Sequence, residues 1–452
     1  MRCEKRKTQN VVLPVLSLFG LLWTPSWAQQ AETLSLDQAL RIALAENRTI
    51  KSARIESRKL DAQTAALRTR RLPALSFSVL GAQQLTSLDF LFAKGSLGTV
   101  PGVGPLPAND TTIRSPRRMT GLFMGEVAQP LSPLFKIKLN LEQLRLGADL
   151  TKEQQRARQQ TVANEVKRLY YGILQTGSSL RAVEESLKLY RELDRITAEY
   201  VAQQTALKGQ SLEIKARLAR AEYTTLTLRQ LQETQNEQLN GLLGRDIRTA
   251  FRVDPLTEFD GVDIDLQAAR KMALEQRPEL KQARLKTRQA EQDRRIKKAE
   301  YIPDVALSVR WIAPVNYSNL IPSNIGTAGV SASWEPFDWG RKKHELAQKD
   351  GAIEQAALAE KEAETQIAID VGNRHRKLAE ARQLLALART TQDAAQENLR
   401  VETNRYKEQS SLYKDVLQAQ VSLADANNQY EQALQGFWMA RADFEKALGT
   451  DQ

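Results

Sequence analysis

The sequence predicts an α+β fold that is built twice from one unit. Three observations predict it: two long blocks that contain no proline, short stretches in which apolar and polar residues alternate, and a set of residues that recurs 230 positions later. Together they give each half of the chain the same outline, in which a helix leads into a β-hairpin, a very long helix follows, and a second helix returns.

The proline-free blocks predict the long helices. Of the 15 prolines, none lies within residues 134–254 or 337–452. Proline breaks a helix because it lacks an amide donor and clashes with the preceding turn. We expect long helices from about Lys138 to Gln203 and from Arg341 to Lys407, each about 100 Å long at a rise of about 1.5 Å per residue.

Apolar residues spaced by seven indicate helices that pack along their whole length, because this spacing keeps one apolar seam facing a partner. Three such rows are Val166, Ile173, Leu180 and Leu187; Val371, Leu378, Leu385, Leu399 and Tyr406, in which only Gln392 is polar; and Val416, Leu423, Tyr430, Phe437 and Phe444. We expect the returning helices to begin near Ser211 and Ser411. Both end at a Leu-Gly pair, Leu243-Gly244 and Leu448-Gly449, where glycine supplies a left-handed cap.

Alternation with a period of two predicts four strands, two in each half. The apolar members are Leu75, Phe77 and Val79; residues within 119–128; Val305, Leu307, Val309 and Trp311; and Val330, Ala332 and Trp334. This pattern suits a strand with lipid on one side and water on the other. Trp311, Trp334 and Trp339 are therefore candidates for an aromatic belt at a membrane interface, although a soluble hydrophobic core would also place tryptophan there.

An internal duplication orders these elements. Leu36, Ala39, Ala43, Leu44, Ala53 and Arg54 recur as Leu266, Ala269, Ala273, Leu274, Ala283 and Arg284. We predict a first repeat over residues 29–244, a connector over 245–265 and a second repeat over 266–449. Beyond the hairpins the offset falls to 206, so the first hairpin should carry the longer loop, from about Ser87 to Arg117.

The first 28 residues read as a signal peptide, with a basic start, an apolar run too short to span a bilayer, and small residues before position 29. Cys3, the single cysteine, lies within it, so we expect neither a disulfide nor a thiolate site in the exported chain. The formal net charge is +11, but acids are interspersed among the bases, which argues against nucleic-acid binding. His344 and His375 are too far apart on one helix to share a metal. We therefore expect no catalytic residues, no metal and no cofactor, and no enzyme.

Four strands cannot close a barrel, and open sheet edges cannot face lipid because each unpaired backbone group there costs several kcal/mol. Sister copies must supply the missing strands. Three chains would give twelve strands, an even number within the range of outer-membrane barrels, whereas two would give eight, a barrel filled by its own side chains.

The duplicated motifs resemble the TolC-like outer-membrane efflux protein family over nearly the whole chain beyond residue 28. The residues that carry the resemblance are Leu34-Ser35-Leu36-Asp37-Gln38-Ala39-Leu40 and its partner at Leu266, the strands that follow Leu72 and Ile302, the strand exit Glu335-Pro336-Phe337-Asp338-Trp339-Gly340-Arg341, the turn from Tyr406 to Leu417, and Ala447-Leu448-Gly449. The resemblance implies a homotrimer with a twelve-stranded barrel in the bacterial outer membrane and an α-helical barrel that crosses the periplasm. It also implies docking on a periplasmic adaptor protein and an inner-membrane transporter.

The resemblance further assigns candidate residues to the periplasmic tip, where docking and the channel entrance would lie. These candidates are Tyr200, Gly209, Tyr406, Asp415, Val416 and Leu417. Gln409 and Leu412 stand where the family has glycine and serine, and Gly209 stands where it has aspartate. The resemblance therefore does not identify which adaptor protein would dock there. Three functions stay open: an efflux duct, the duct of a type I protein secretion system, or a periplasmic coiled-coil scaffold with no membrane part.

Overall fold

The computed structural model describes residues 32–115, 119–204, 208–255, 265–316, 322–408, 410–411 and 413–450. The predicted signal peptide and residues 256–264 of the predicted connector lie outside these ranges.

The elements follow the predicted order in both halves. The first half contains β1 (Glu32–Leu34), α1 (Leu36–Glu46), α2 (Arg48–Thr69), β2 (Ala74–Gln83), β3 (Leu88–Phe92), β4 (Thr99–Val100), β5 (Gly104–Pro105), β6 (Thr111–Ser115), β7 (Met119–Pro130), α3 (Pro133–Ala202) and α4 (Lys208–Leu242). The second half contains β8 (Phe251–Val253), α5 (Leu266–Gln276), α6 (Pro278–Lys298), a 3-10 turn (Ala299–Tyr301), β9 (Asp304–Val315), β10 (Ile325–Ser333), α7 (Arg341–Lys407) and α8 (Tyr413–Leu448).

The two long helices are confirmed. α7 has the predicted bounds, and α3 begins earlier than predicted because Pro133 occupies the first turn, where a missing amide donor costs nothing. α3 packs against α2 and α6 nearer the strands and against α4 and α8 further along, while α7 packs against α6 and α8. The apolar residues spaced by seven positions face these contacts, since Val166 and Val371 are fully buried.

The single leading helix that we expected in each half is in fact two helices. α1 ends at Asn47, whose backbone is extended (ψ 130°) and whose side chain accepts hydrogen bonds from the amides of Thr49 (2.9 Å) and Ile50 (3.3 Å). Arg277 makes the same break between α5 and α6, where Pro278 starts the new helix. Pro278 was a sequence signal for the break in the second half, since a helix rarely continues through the residue before proline. The first half has only Asn47 at this place, and asparagine also occurs within helices.

Each break receives the end of a returning helix. Gly244 has φ +71°, and a Cβ atom there would lie 2.5 Å from the carbonyl oxygen of Glu46. Gly449 has φ +76°, and its Cβ would lie 2.8 Å from the amide nitrogen of Arg277. The predicted glycine caps are confirmed, and each glycine is needed both for its backbone conformation and for the close approach of the two chains.

Two apolar clusters surround these junctions. The first centres on Tyr170, whose hydroxyl lies 3.0 Å from the carbonyl oxygen of Leu34 and 2.9 Å from that of Asp254. These carbonyls flank a short parallel pair, β1 with β8, that the sequence analysis missed. Burial raises the pKa of Tyr170 to about 12, so this phenol stays a hydrogen-bond donor at physiological pH.

Ion pairs link the helices beside the clusters. The Asp443 carboxylate of α8 accepts hydrogen bonds from Arg374 of α7 (2.6 Å) and Arg168 of α3 (3.0 Å). Lys167 and Glu445 form a second bridge at 2.8 Å. Burial raises the pKa of Glu445, but Lys167 and Arg441 outweigh this effect and leave the net pKa below its usual value. These carboxylates therefore hold α3, α7 and α8 together.

The long loop predicted between Ser87 and Arg117 contains two small hairpins. β3 pairs with β6, opposing Leu88 to Ser115, and β4 pairs with β5. Residues 116–118 lie outside the described part of the chain. The loop therefore satisfies much of its own backbone hydrogen bonding, which the clustering of glycine and proline did not indicate.

The cap glycines should be far less tolerant than nearby helical glycines. We expect Gly244→Ala to destabilise the protein by about 1–3 kcal/mol or more, because alanine disfavours the left-handed conformation and its methyl group meets Glu46. Gly241→Ala is the matched control, since nothing lies within 4 Å of a Cβ atom at this helical position. It should be neutral or stabilise by up to about 1 kcal/mol. Thermal unfolding in detergent, followed by circular dichroism, measures both, and equal midpoints would contradict the role of Gly244.

Candidate functional site

One four-stranded antiparallel sheet joins the two halves, in the order β10-β9-β7-β2. The predicted hairpins are both present, β2 with β7 and β9 with β10, and β7 pairs with β9 between them. β2 and β10 form the outer edges, and neither pairs with another strand within the described residues. The sheet therefore ends in two open edges.

One face of the sheet is apolar and uncovered. Residues that oppose one another in the register share a face, as do Leu75, Val127 and Val309. Leu75 is 79% exposed and Val330 is 68% exposed. The other large apolar residues on this face are Phe77, Val79, Met119, Phe123, Val305, Leu307, Trp311 and Val315. No charged side chain lies on this face among the described strand residues, which suits contact with lipid.

The opposite face carries the charges of the sheet. Glu126 and Arg310 oppose each other across β7 and β9, and their side chains form an ion pair at 3.1 Å. Hydroxyl groups share this face, from Ser76, Ser78, Ser308, Thr327, Ser331 and Ser333. This face suits water, so the sheet separates an apolar surrounding from an aqueous one.

The three candidate tryptophans lie at two levels of the sheet. Trp311 lies on the apolar face of β9, opposite Gly125 and Gly326. Trp334 directly follows β10, and Trp339 lies in the exit turn, 87% exposed, with its ring 4.8 Å from that of Phe337. Seven residues separate the levels along β9, about 23 Å at about 3.3 Å per residue. Because the strands of membrane barrels tilt by about 35–45°, this distance corresponds to a height of about 16–19 Å, which lies within the apolar band of about 25 Å.

The exit motif forms the junction between β10 and α7. The Asp338 carboxylate accepts hydrogen bonds from the amides of Gly340 (3.1 Å) and Lys342 (3.0 Å), which caps α7. The Lys342 amide is the main cause that lowers the pKa of Asp338. Arg341 pairs with Glu335 at 2.5 Å. The motif identified in the sequence therefore sets the direction in which the long helix leaves the sheet.

The candidate tip residues lie at the helix ends furthest from the sheet. Tyr200 occupies the last turn of α3 and is 53% exposed, and Gly209 is exposed at the start of α4. Asp415 is exposed in the first turn of α8, whereas Val416 beside it is 7% exposed. Tyr406 lies in the last turn of α7 and Leu417 in α8, and Gln409 and Leu412 between them are outside the described residues.

The histidines do not come together. Both lie on α7, where the His375 ring packs 5.7 Å from that of Phe444. In the described part of the chain, no group of three His, Cys, Asp or Glu side chains could hold a metal ion. No helix of this part is both long enough and apolar enough to cross a membrane.

The model of the outer membrane efflux protein family matches residues 39–245 and 269–450. The chain belongs to this family. It is a membrane transport protein of the bacterial outer membrane that extends into the periplasm, and membership confirms that it is not an enzyme. A comparison with curated protein sequences finds no match.

Solved structures of outer-membrane proteins share the fold. CmeC of Campylobacter jejuni is 15% identical, with a TM-score of 0.72 over 98% of this chain and 94% of that one. VceC of Vibrio cholerae is 15% identical, with a TM-score of 0.70 over 92% of this chain and 96% of that one. MtrE of Neisseria gonorrhoeae is 18% identical, with a TM-score of 0.68 over 92% of this chain and 88% of that one. The predicted fold class, an internally duplicated α+β membrane protein with a four-stranded share of the sheet and long helices, is confirmed.

The two faces of the sheet should respond differently to a charge. We expect Leu307→Arg to reduce membrane insertion sharply, because a charge on the lipid face costs about 2–4 kcal/mol near the midplane. Ser308→Arg is the matched control, since its side chain lies on the polar face one residue away. The yield of heat-modifiable oligomer in outer-membrane fractions measures the effect. Equal yields from the two variants would contradict the assignment of the faces.

Proposed function

We propose that this efflux-family protein is the outer-membrane channel of a tripartite efflux system, a passive exit duct that docks on a periplasmic adaptor protein and an inner-membrane transporter. The observation that carries the proposal is the four-stranded sheet with two open edges and one bare apolar face. Such a sheet is stable in a bilayer only when other strands pair with both edges.

A homotrimer satisfies this requirement. Identical chains related by rotation place the β10 edge of one copy beside the β2 edge of the next, so a ring of copies leaves no edge open. Three copies close a barrel of twelve strands, which is wide enough for a duct. Two copies would close eight, which side chains fill.

The duplication supplies a register for this contact between copies. Ala74 pairs with Ala128 in the first hairpin, and Asp304, the counterpart of Ala74 in the second repeat, pairs with Ser333. Ala128 and Ser333 are therefore counterparts. The strand-exit motifs that follow are 206 positions apart, one more than the 205 that separate Ala128 and Ser333. The second repeat therefore has one additional residue at this point, Trp334.

Within one chain, β7 and β9 pair Ala128 with Ser308. Their counterparts in the other repeat are Ser333 of β10 and Ser78 of β2. If copies repeat the contact that joins the halves, Ser333 of one copy lies opposite Ser78 of the next. Both serines lie on the polar face, so the register also keeps the apolar faces of neighbouring copies continuous.

A cysteine pair tests this arrangement. We expect Ser78→Cys with Ser333→Cys to form disulfides between copies on mild oxidation, and the covalent dimers and trimers to show in non-reducing gels. Cys3 is the single cysteine of the sequence, so the two introduced cysteines have no natural competitor in the repeats. The Cα atoms of opposed strand residues are also separated by a distance that a disulfide spans.

The control pairs Ser333→Cys with Ala82→Cys, which lies on the same face of β2 but about 13 Å further along the strand. It should remain uncross-linked. Cross-linking of the control but not of Ser78→Cys would contradict the register, and the absence of cross-links in every pair along this edge would contradict the assembly.

The helix turns at the far end form the proposed docking surface. They lie about 100 Å from the sheet, given the lengths of α3 and α7. That length carries the turns far from the outer membrane towards the inner membrane. Tyr200, Gly209, Tyr406, Asp415, Val416 and Leu417 are the residues that we assign to this tip.

Breaking α8 at the tip should separate docking from insertion. We expect Leu417→Pro to leave the outer-membrane oligomer intact and to abolish efflux, because proline disrupts the start of α8. Leu417→Ala is the control, since it keeps the helix. Accumulation of a fluorescent efflux substrate measures transport, and wild-type accumulation in Leu417→Pro would contradict docking at this turn.

A duct for type I protein secretion has the same architecture and remains the second candidate. The inner-membrane partner decides between the two. A periplasmic scaffold with no membrane part does not fit an outer membrane efflux protein.

Export to the outer membrane requires a signal peptide, which we assign to residues 1–28. We assign the first repeat to residues 29–244, the connector to residues 245–265 and the second repeat to residues 266–449.

A further inference from the structure

We propose that the periplasmic rim of the sheet binds the phosphate groups of anionic phospholipids through Arg68, Arg70 and Arg71, at the end of α2. The inference rests on the proposed function in one respect, since it places this rim around a closed barrel in the outer membrane. The lipids would be those of the periplasmic leaflet.

The three arginines lie where the helices give way to the sheet. α2 ends at Thr69, and β2 begins at Ala74. Leu75, four residues after Arg71, is the first large apolar side chain of the lipid face. Four residues span at most about 14 Å, so Arg71 lies near the headgroup zone that borders the hydrocarbon core.

A side-chain contact places the rim on the lipid side. The Gln129 side chain donates a hydrogen bond of 3.1 Å to the carbonyl oxygen of Arg71. Gln129 opposes Leu307 in the register, so it lies on the apolar face. The backbone of Arg71 is therefore attached to the face that meets lipid and not to the face that meets water.

The charges of these arginines are not neutralised by any described residue of the same chain. All three residues are exposed, and no ion pair among the described residues involves any of them. The dipole of α2 favours a cation in the last helical turn, which accounts for Arg68. Arg70 and Arg71 lie beyond the helix, so capping does not account for them.

The second repeat shows that the fold does not require this excess of positive charge. The counterparts of Arg68, Arg70 and Arg71 are Lys298, Glu300 and Tyr301. Beside them Lys297 pairs with Glu300 at 2.8 Å and with Glu345 at 2.7 Å. The second repeat therefore carries a paired lysine and a carboxylate at this place, whereas the first carries three exposed arginines that no described carboxylate of the same chain pairs with. The carboxylates of the exit turn, Glu335 and Asp338, are themselves engaged by Arg341 and Lys342.

Aromatic side chains of a neighbouring copy complete the rim. Within the chain, the amide of Leu131 donates to the carbonyl oxygen of Val305 at 2.9 Å. The counterparts of Leu131 and Val305 in the other repeat are Phe337 and Leu75. If copies repeat the contact that joins the halves, the exit turn of one copy lies beside the end of α2 in the next. That turn presents Trp339, which is 87% exposed. Aromatic rings and cations at one level are typical of a membrane interface.

Tryptophan quenching tests the proposal, with Trp334 and Trp339 as reporters near the rim. All variants carry Trp311→Phe, because Trp311 on the lipid face would also be quenched. The protein is reconstituted in phosphatidylcholine vesicles that contain brominated phosphatidylglycerol or, for comparison, brominated phosphatidylcholine. We expect the wild type to prefer the anionic lipid, with a loss of about fivefold in relative affinity for each arginine removed. Arg68→Gln, Arg70→Gln and Arg71→Gln combined should abolish the preference, and the three lysine substitutions should retain it.

Arg58→Gln is the matched control, an exposed arginine on α2 about 16 Å before the helix end. It should leave the preference unchanged. Equal quenching of the wild type by both lipids, or an unchanged preference in the triple glutamine variant, would overturn the proposal. Loss of the preference on adding inorganic phosphate, but not chloride at the same ionic strength, would show that the arginines recognise the phosphate group and would support the proposal.

The amount of inserted wild-type oligomer distinguishes the lipid site from the proposed function. Inserted, heat-modifiable oligomer with no lipid preference would refute the lipid site alone. Absence of inserted oligomer from the wild type would refute the duct.

Discussion

Backbone hydrogen bonds that cannot be left unpaired in lipid are the constraint on which the rest of the structure depends. A bilayer offers no water to an open strand edge, so every N–H and C=O group there needs a protein partner. This chain supplies four strands and leaves the outer edges of β2 and β10 without partners in the described residues. The lipid-facing sheet is therefore complete only in an assembly, and the register between its two halves provides the pattern by which copies can join.

The long helices follow from the same arrangement. Each hairpin ends in a turn that directs a helix away from the sheet, through the Asp338 cap in the second repeat and through Ser132 in the first, whose hydroxyl lies 2.6 Å from the carbonyl oxygen of Pro303. The returning helices then pack their glycine ends on the breaks at Asn47 and Arg277. Ion pairs around Asp443 hold the helices at this level. A rigid base of this kind can carry helix ends about 100 Å from the membrane.

Much of this architecture could be predicted from the sequence, because it depends on signals that repeat along the chain. The proline-free block that begins at residue 337 indicated the long helix α7 and its returning partner, and period-two alternation indicated the four sheet strands, although Trp334 lies just beyond β10. The breaks at Asn47 and Arg277 and the pair of β1 with β8 depend on contacts between distant segments, such as the one from Asn47 to the carbonyl oxygen of Leu242 at 2.8 Å. Local pattern does not report such contacts. The bridges that Asp443 and Glu445 form depend in the same way on partners that lie on other helices. The tip residues were identified only through family resemblance, and their role remains a proposal.

The mass of the purified protein in detergent tests the central claim most directly. Size-exclusion chromatography with light scattering, corrected for bound detergent, gives the number of chains in the particle. Closure of the sheet edges predicts three chains and a substantial detergent belt around the apolar faces. A stable single chain that binds no detergent would contradict the account.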